Sequence, residues 1–431
     1  MNKIKIIDAI MGSGKSTYVI EEIINKNPDK KFICVVPTID KLNEKNEVVR
    51  TGEVTRYRNA INAVTFEPKK SPFKKNGLDS LIASGYNIVT THSLIQYIDD
   101  DTMELLKKAN YTLIIDECLD VVHVYQKISK HDSMSLVVDG WISIDENGYL
   151  DWNTVKDKAL FNSNYKGSWD EVKRLCNLNA LMCIRKNDGT ISHNIIYWHF
   201  PVGFFDLFEE SYICTYLWNG SIQKAYFDMH NVMYQHLTLI NHKLVDYDLK
   251  EEIETRKHLF SLINLYKEDN LNLIGTPDEK NKHPLTKEWF KKKAKAKGQY
   301  ELKLLKNNVY NFFKNKAKTP ANENMYTVFK SHRQYIKGVG YTKGFLPCNS
   351  KGTNEYKHKK SLAYLINLYL QPDIINFFNS QGVKINSDLW SLSELLQWIW
   401  RSGIREGKEI NLYLPSKRMR GLIQKWALGI I

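Results

Sequence analysis

Ala9 to Ser16 read Ala-Ile-Met-Gly-Ser-Gly-Lys-Ser, and they follow an apolar run, Ile4-Lys-Ile-Ile7, with the composition of a strand. Behind them Tyr18, Val19, Ile20, Ile23 and Ile24 recur on one face of a helical pattern. Strand, glycine-rich turn, Lys-Ser and helix make up a phosphate-binding loop, whose turn can curl so that successive N–H groups point at one anion. Glycines at 12 and 14 permit that curl, so Gly12, Ser13, Gly14, Lys15, Ser16 and Thr17 are the expected nucleotide-binding residues. In a loop of this kind Lys15 reaches the β- and γ-phosphates and Ser16 offers a hydroxyl to Mg²⁺, which makes ATP and Mg²⁺ the expected ligands.

The rest of the first half alternates short apolar runs with helical patterns. Candidate strands are 4–8, 32–36, 87–91, 112–116 and 211–216. Runs of this kind imply an α/β fold with a parallel sheet covered on both faces, and ligands bind at the carboxyl ends of its strands. Between 121 and 210 the pattern breaks. Asp145-Glu-Asn-Gly148 and Asn187-Asp-Gly189 are tight-turn signals flanked by strand-like runs, so an insertion with β-hairpins is expected there. A second α/β unit is expected over 240–431, with strands at Leu271–Ile274, Met325–Phe329, Phe345–Pro347 and Ile410–Leu414 and helices at 249–267 and 391–402. The expected domains are thus 1–235, holding the insertion, and 240–431. Two such units with one phosphate loop suggest a motor with its nucleotide in the interdomain cleft.

Asp116-Glu117 closes an apolar strand 100 residues after Ser16. A nucleoside triphosphatase needs one carboxylate on Mg²⁺ and another to orient and deprotonate the attacking water. Asp116 fits the metal role with Ser16, and Glu117 the water role. Near the C-terminus, Gln397, Arg401 and Arg405 recur every four residues, which on a helix would put them on one face. Such a row can bind the γ-phosphate and stabilise charge on its equatorial oxygens.

Charge enters the argument through its location. The net charge is +13, and residues 282–318 alone hold twelve lysines against two glutamates. Trp289, Phe290, Tyr300, Tyr310, Phe312 and Phe313 are interleaved with those lysines, a composition that suits a polyanion. Lys291, Lys292 and Lys293 are the densest part of it. No run approaches the roughly 18 apolar residues of a membrane span, and the N-terminus lacks a signal-peptide pattern. The six cysteines include no C-x-x-C pair, so free thiols in a reducing cytoplasm are expected.

With loop, Asp-Glu and Gln/Arg row in that order, the chain resembles a superfamily 2 DNA/RNA helicase, and in particular the compact DEAD/DEAH-like helicases of bacteriophages. Ala9–Thr17 matches motif I, Asp116-Glu-Cys-Leu119 motif II and Gln397–Arg405 motif VI. Val35-Val-Pro-Thr38 is similar to motif Ia, Thr90-Thr-His-Ser93 to motif Ib, Thr215-Tyr216 to motif III and Gly352-Thr-Asn354 to motif V. The resemblance implies two tandem RecA-like domains and nucleic-acid backbone contacts at Pro37, Thr38, Thr91, His92, Thr353 and Asn354. It implies coupling of ATP hydrolysis to movement on nucleic acid, with DNA favoured over RNA, and replication or recombination proteins as partners. The chain departs from the family at Leu119, which is neither Asp nor His, and in having only eight residues before Ala9, too few for the upstream glutamine motif. Arg401 keeps the family's distance from Gln397; Arg405 is displaced by one. A phage packaging ATPase, a thymidine-kinase-like enzyme and a nucleic-acid-binding scaffold with a vestigial nucleotide site stay open as alternatives.

Overall fold

The computed structural model describes residues 3–45, 47–69, 73–185, 191–350 and 355–431. Two compact units divide the chain: one gathers Met1–Ala9, Gly14–Asp246 and Gln371–Ile385, the other Ile10–Ser13, Tyr247–Leu370 and Asn386–Ile431.

The first unit is built on an eight-stranded sheet. Its strands are β1 (Ile4–Asp8), β2 (Lys31–Val36), β3 (Thr65–Phe66), β4 (Asn87–Thr91) and β5 (Tyr111–Asp116). An inserted segment carries β6 (Val122–Val124), β7 (Ile142–Ile144), β8 (Leu150–Trp152), β9 (Leu181–Arg185) and β10 (Ile191–His199). The sheet then resumes with β11 (Glu210–Thr215), β12 (Tyr234–Ile240) and β13 (Lys243–Asp246). The order is β13-β12-β1-β11-β5-β2-β4-β3, and every pairing is parallel except the β12–β13 hairpin at one edge. All six positions of β5 are buried, as a central parallel strand covered on both faces requires. On one face Ile7, Cys34 and Ile114 of the sheet pack with Val19, Ile20 and Ile24 of the helix that follows the phosphate loop.

The expected insertion is there and contains hairpins. β7 and β8 pair antiparallel around a turn in which the Asp145 carboxylate accepts the Asn147 and Tyr149 N–H groups. β9, β10 and β6 form a second antiparallel sheet. The Asn187-Asp-Gly189 signal lies outside the described residues. Chain from Gln371–Ile385 returns to this unit, and the Phe377 ring of helix Pro372–Ser380 meets Tyr197 of β10 at 4.8 Å between centroids.

The second unit holds a four-stranded sheet of β14 (Ile263–Leu265), β15 (Asn324–Thr327), β16 (Ser361–Tyr364) and β17 (Ile410–Tyr413), in the order β14-β17-β16-β15 and parallel throughout. The molecule is thus α/β, with one largely parallel and one wholly parallel sheet. Two expected strands are absent from it. Leu271–Ile274 lies instead in a helix, Asp269–Asn272, and the 3-10 turn Leu273–Gly275. The Asn272 amide bonds back to the Tyr266 and Glu268 carbonyls and leaves Leu273 exposed, so the apolar run has only a helical inner face. Phe345–Pro347 makes one bridge, to Tyr326, and Pro347 has no N–H with which to extend a ladder. The expected helices end early, at Ser261 and Ile399. No helix among the described residues is long and apolar enough to cross a membrane, and none of the six cysteines is in a disulfide.

A buried histidine beside a half-buried one in the first unit gives the fold a pH dependence. The His199 and His230 rings lie 5.6 Å apart, and neither Nε2 has a hydrogen-bond partner among the described residues. Burial, reinforced by His230, pushes the His199 pKa from 6.5 down to about 3, and burial takes His230 to about 4. Both rings are therefore neutral when folded and protonate more readily when unfolded. Stability is fully present above pH 6.5 and is lost as pH falls from there toward 4 and 3. At pH 5 the cost is about 2 kcal/mol for His199 alone. Urea unfolding at pH 7.5, 6 and 5 should show the slope, and His199→Phe should flatten it.

Candidate nucleotide site

The phosphate loop leaves β1 at Ala9, whose N–H donates to the Thr215 carbonyl at 3.2 Å. Gly12 and Gly14 take φ of 86° and 88°, left-handed values that a side chain resists, and the Ser13 N–H closes a turn on Ile10 at 3.1 Å. Gly12, Ser13 and Thr17 are exposed. A helical turn begins at Lys15 and continues into the π-helical stretch Val19–Ile24. Lys15 folds back beneath its own loop, and its ammonium donates to the Ala9 carbonyl. Burial pulls its pKa down, opposed by Cys214 and the carboxylates of Asp8, Asp116 and Glu117.

Ser16 Oγ donates to Asp116 Oδ2 at 2.9 Å, joining loop to carboxylate across 100 residues of sequence. The same oxygen accepts Tyr57 Oη at 3.0 Å and the Arg56 guanidinium at 3.3 Å. Glu117 follows with a positive φ of 67°, and its N–H donates to the Cys214 carbonyl at 2.9 Å. Cys118 Sγ donates to Thr215 Oγ1 at 3.2 Å, tying the Asp-Glu-Cys segment to the end of β11. The first unit therefore brings Lys15, Ser16, Asp116 and Glu117 together. An exposed glycine loop with a lysine amine folded against its start, beside a serine–carboxylate pair, fits a magnesium-bound triphosphate. No group of three or more His, Cys, Asp or Glu among the described residues is placed to hold a metal. A divalent ion would thus rest on Ser16, Asp116 and phosphate oxygens.

Three participants carried no sequence signal. Arg56 and Tyr57 lie on the short helix Glu53–Ala60, in no motif, yet both close on Asp116. Asp8 is buried at the end of β1, where its Oδ2 accepts the Trp218 N–H at 3.0 Å and stands 3.1 Å from His236 Nε2. Sequence separations of 60 and 228 residues hide such pairs from any local pattern.

The remaining expected residues are placed as follows. Thr38 receives the Glu53 N–H on its hydroxyl and the Val54 N–H on its carbonyl, anchoring the helix that carries Arg56, and Pro37 beside it is half-buried. Thr91 caps helix His92–Ile95 by accepting the Leu94 N–H, and His92 Nε2 lies 2.9 Å from the Asp116 carbonyl. Thr353 and Asn354 lie outside the described residues. On helix Lys287–Lys295, Lys291 and Lys292 are exposed while Lys293 pairs with Glu301. Of the six interleaved rings, Trp289, Phe290, Phe312 and Phe313 pack into the core, which leaves Tyr300 and Tyr310 on the surface.

The single helical face expected for Gln397, Arg401 and Arg405 does not form. The helix Ser387–Ile399 carries Gln397 only, with its amide on Ser393. Ser402 and Gly403 turn the chain, because the Gly403 N–H donates to the Lys359 carbonyl, and a Cβ there would lie 3.2 Å from that oxygen. Arg401 is buried in the turn and Arg405 is exposed in the 3-10 stretch Gly403–Glu406.

Comparison with known proteins places these observations. Residues 257–427 match the family model described as the YonV C-terminal Rossmann-like domain, and residues 122–198 the YonV middle domain. The chain is 38% identical over 439 residues to the SPbeta prophage-derived uncharacterized protein YonV of Bacillus subtilis (strain 168), with 99% of each chain covered. Among solved structures it is similar to S. tokodaii Xpd4, with a TM-score of 0.40 at 11% identity over 98% of this chain and 94% of that one. It is also similar to the DUF1998 helicase MrfA bound to DNA and AMPPNP, with a TM-score of 0.31 at 10% identity over 100% of this chain and 48% of that one, so it spans about half of MrfA. The chain belongs to the family of the prophage-derived YonV protein.

Proposed function

We propose that this protein is a nucleic-acid-stimulated nucleoside triphosphatase of the superfamily 2 helicase type. It couples ATP hydrolysis to movement on DNA in phage replication or recombination. The observation that carries the reading is the 2.9 Å bond between Ser16 and Asp116, with Glu117 next in the chain and the Lys15 amine beneath the same loop. The N–H groups around Gly12, Ser13 and Gly14 cradle the phosphates, and Lys15 neutralises charge on them. Ser16 and Asp116 would hold Mg²⁺, whose charge would offset that on the phosphates when it is bound. Glu117 accepts a proton from the attacking water and aims it. Tyr57 and Arg56 hold Asp116 in place. Nucleic-acid backbone contacts are assigned to Pro37, Thr38, Thr91, His92, Thr353, Asn354 and the lysines 291–293.

The test is phosphate release by the full chain, alone and with single-stranded DNA, duplex DNA or single-stranded RNA. Stimulation by one polymer supports the motor and identifies its track. Turnover indifferent to every polymer removes the coupling, and no turnover leaves the binding scaffold. Exchange of the exposed Lys291 and Lys292 for Gln should weaken polymer binding across sequences and lower its salt slope by about one per lysine.

A further inference from the structure

The phosphate loop accounts for a triphosphate but not for what the triphosphate is attached to. The sheet order supplies a direction. β5, which carries Asp116, lies on one flank of β1 with β11 between them, and β12 and β13 lie on the other flank. Ser16 and Asp116 mark the end where the terminal phosphate and its cation belong. A triphosphate lying along the loop with that end toward Asp116 sends its nucleoside toward β12 and β13. What stands there is the tip of their hairpin. Ile240 pairs with Lys243, so Asn241 and His242 form a two-residue turn, with φ of 48° and 59°. Glycine is the residue such turns favour at the second position. A histidine keeps its side chain there despite the left-handed backbone, and a Cβ built on Gly14 would stand 4.0 Å from His242 Cε1. The imidazole is exposed beside the loop, flanked by exposed Asn241 and Lys243.

From this placement we infer that the β12–β13 tip is the nucleoside-recognition element of the site, with His242 contacting the sugar and base of a nucleoside triphosphate. The inference rests on the phosphate-loop reading above. His242→Gly removes the ring and leaves an Asn-Gly pair, the favoured sequence for the turn, so the fold is preserved. Displacement of a fluorescent ATP analogue by ATP, GTP, CTP, UTP and inorganic tripolyphosphate is measured for wild type, His242→Gly and Lys15→Ala. His242→Gly should weaken ATP roughly tenfold, the size of one lost stacking contact, and flatten differences among the four nucleotides. Its affinity for tripolyphosphate should not change. If His242→Gly binds ATP like wild type while Lys15→Ala loses both ATP and tripolyphosphate, the hairpin assignment is wrong and the phosphate loop stands. If Lys15→Ala binds both like wild type, the loop reading fails and takes the hairpin with it.

Discussion

Glu117→Gln should bind ATP as tightly as wild type and release phosphate at least roughly a hundredfold more slowly, the range for loss of a positioned general base. The two side chains have the same shape, so the packing around position 117 is retained and only the capacity to take a proton is lost. The backbone makes the residue informative. A non-glycine φ of 67° costs on the order of 1–3 kcal/mol and persists only where the surroundings enforce it. Here the enforcing contact is the bond from the Glu117 N–H to Cys214 on β11, the strand between the phosphate-loop strand and the Asp116 strand. Isothermal titration beside a steady-state phosphate assay separates binding from turnover; equal turnover by the two proteins would remove Glu117 from the chemistry.

Lys15→Ala should abolish measurable ATP binding, a loss of at least ~100-fold or about 2.7 kcal/mol. The argument is electrostatic. The amine is buried enough for its pKa to be drawn down, and it is surrounded by Asp8, Asp116 and Glu117. Removing it takes away the cation that offsets the nearby Asp8, Asp116 and Glu117. Thermal melts with and without ATP and Mg²⁺ are the check. A ligand that binds only the folded state raises the wild-type melting temperature, and the variant should show no such rise.

How legible this was from sequence depended on distance along the chain. Strands of the first sheet buried on both faces, such as Tyr111–Asp116, are written as continuous apolar runs and were readable with their ends nearly right. β12 and β13 were not, because Tyr234–Ile240 is half-exposed and mixes His and Gln into its pattern. In the second unit, β14 is three residues long and directly follows a helix whose periodicity runs on through it. The loop, its lysine and the Asp-Glu pair were legible because their chemistry fixes residue types at fixed spacing. The Gln/Arg row shows the limit of spacing alone. The four-residue period is there, but the helix ends at Ile399 and leaves both arginines beyond it. Arg56, Tyr57 and His242 reach the site only through tertiary contacts, which leave no trace in a local pattern.

The most direct measurement of the central claim is Mg²⁺-dependent phosphate release from ATP by the purified full chain, with Glu117→Gln as the blank. The account predicts turnover that requires Mg²⁺ and exceeds the blank by roughly a hundredfold or more. Phosphate release at the same rate in wild type and blank, or none in either with every polymer present, would contradict it.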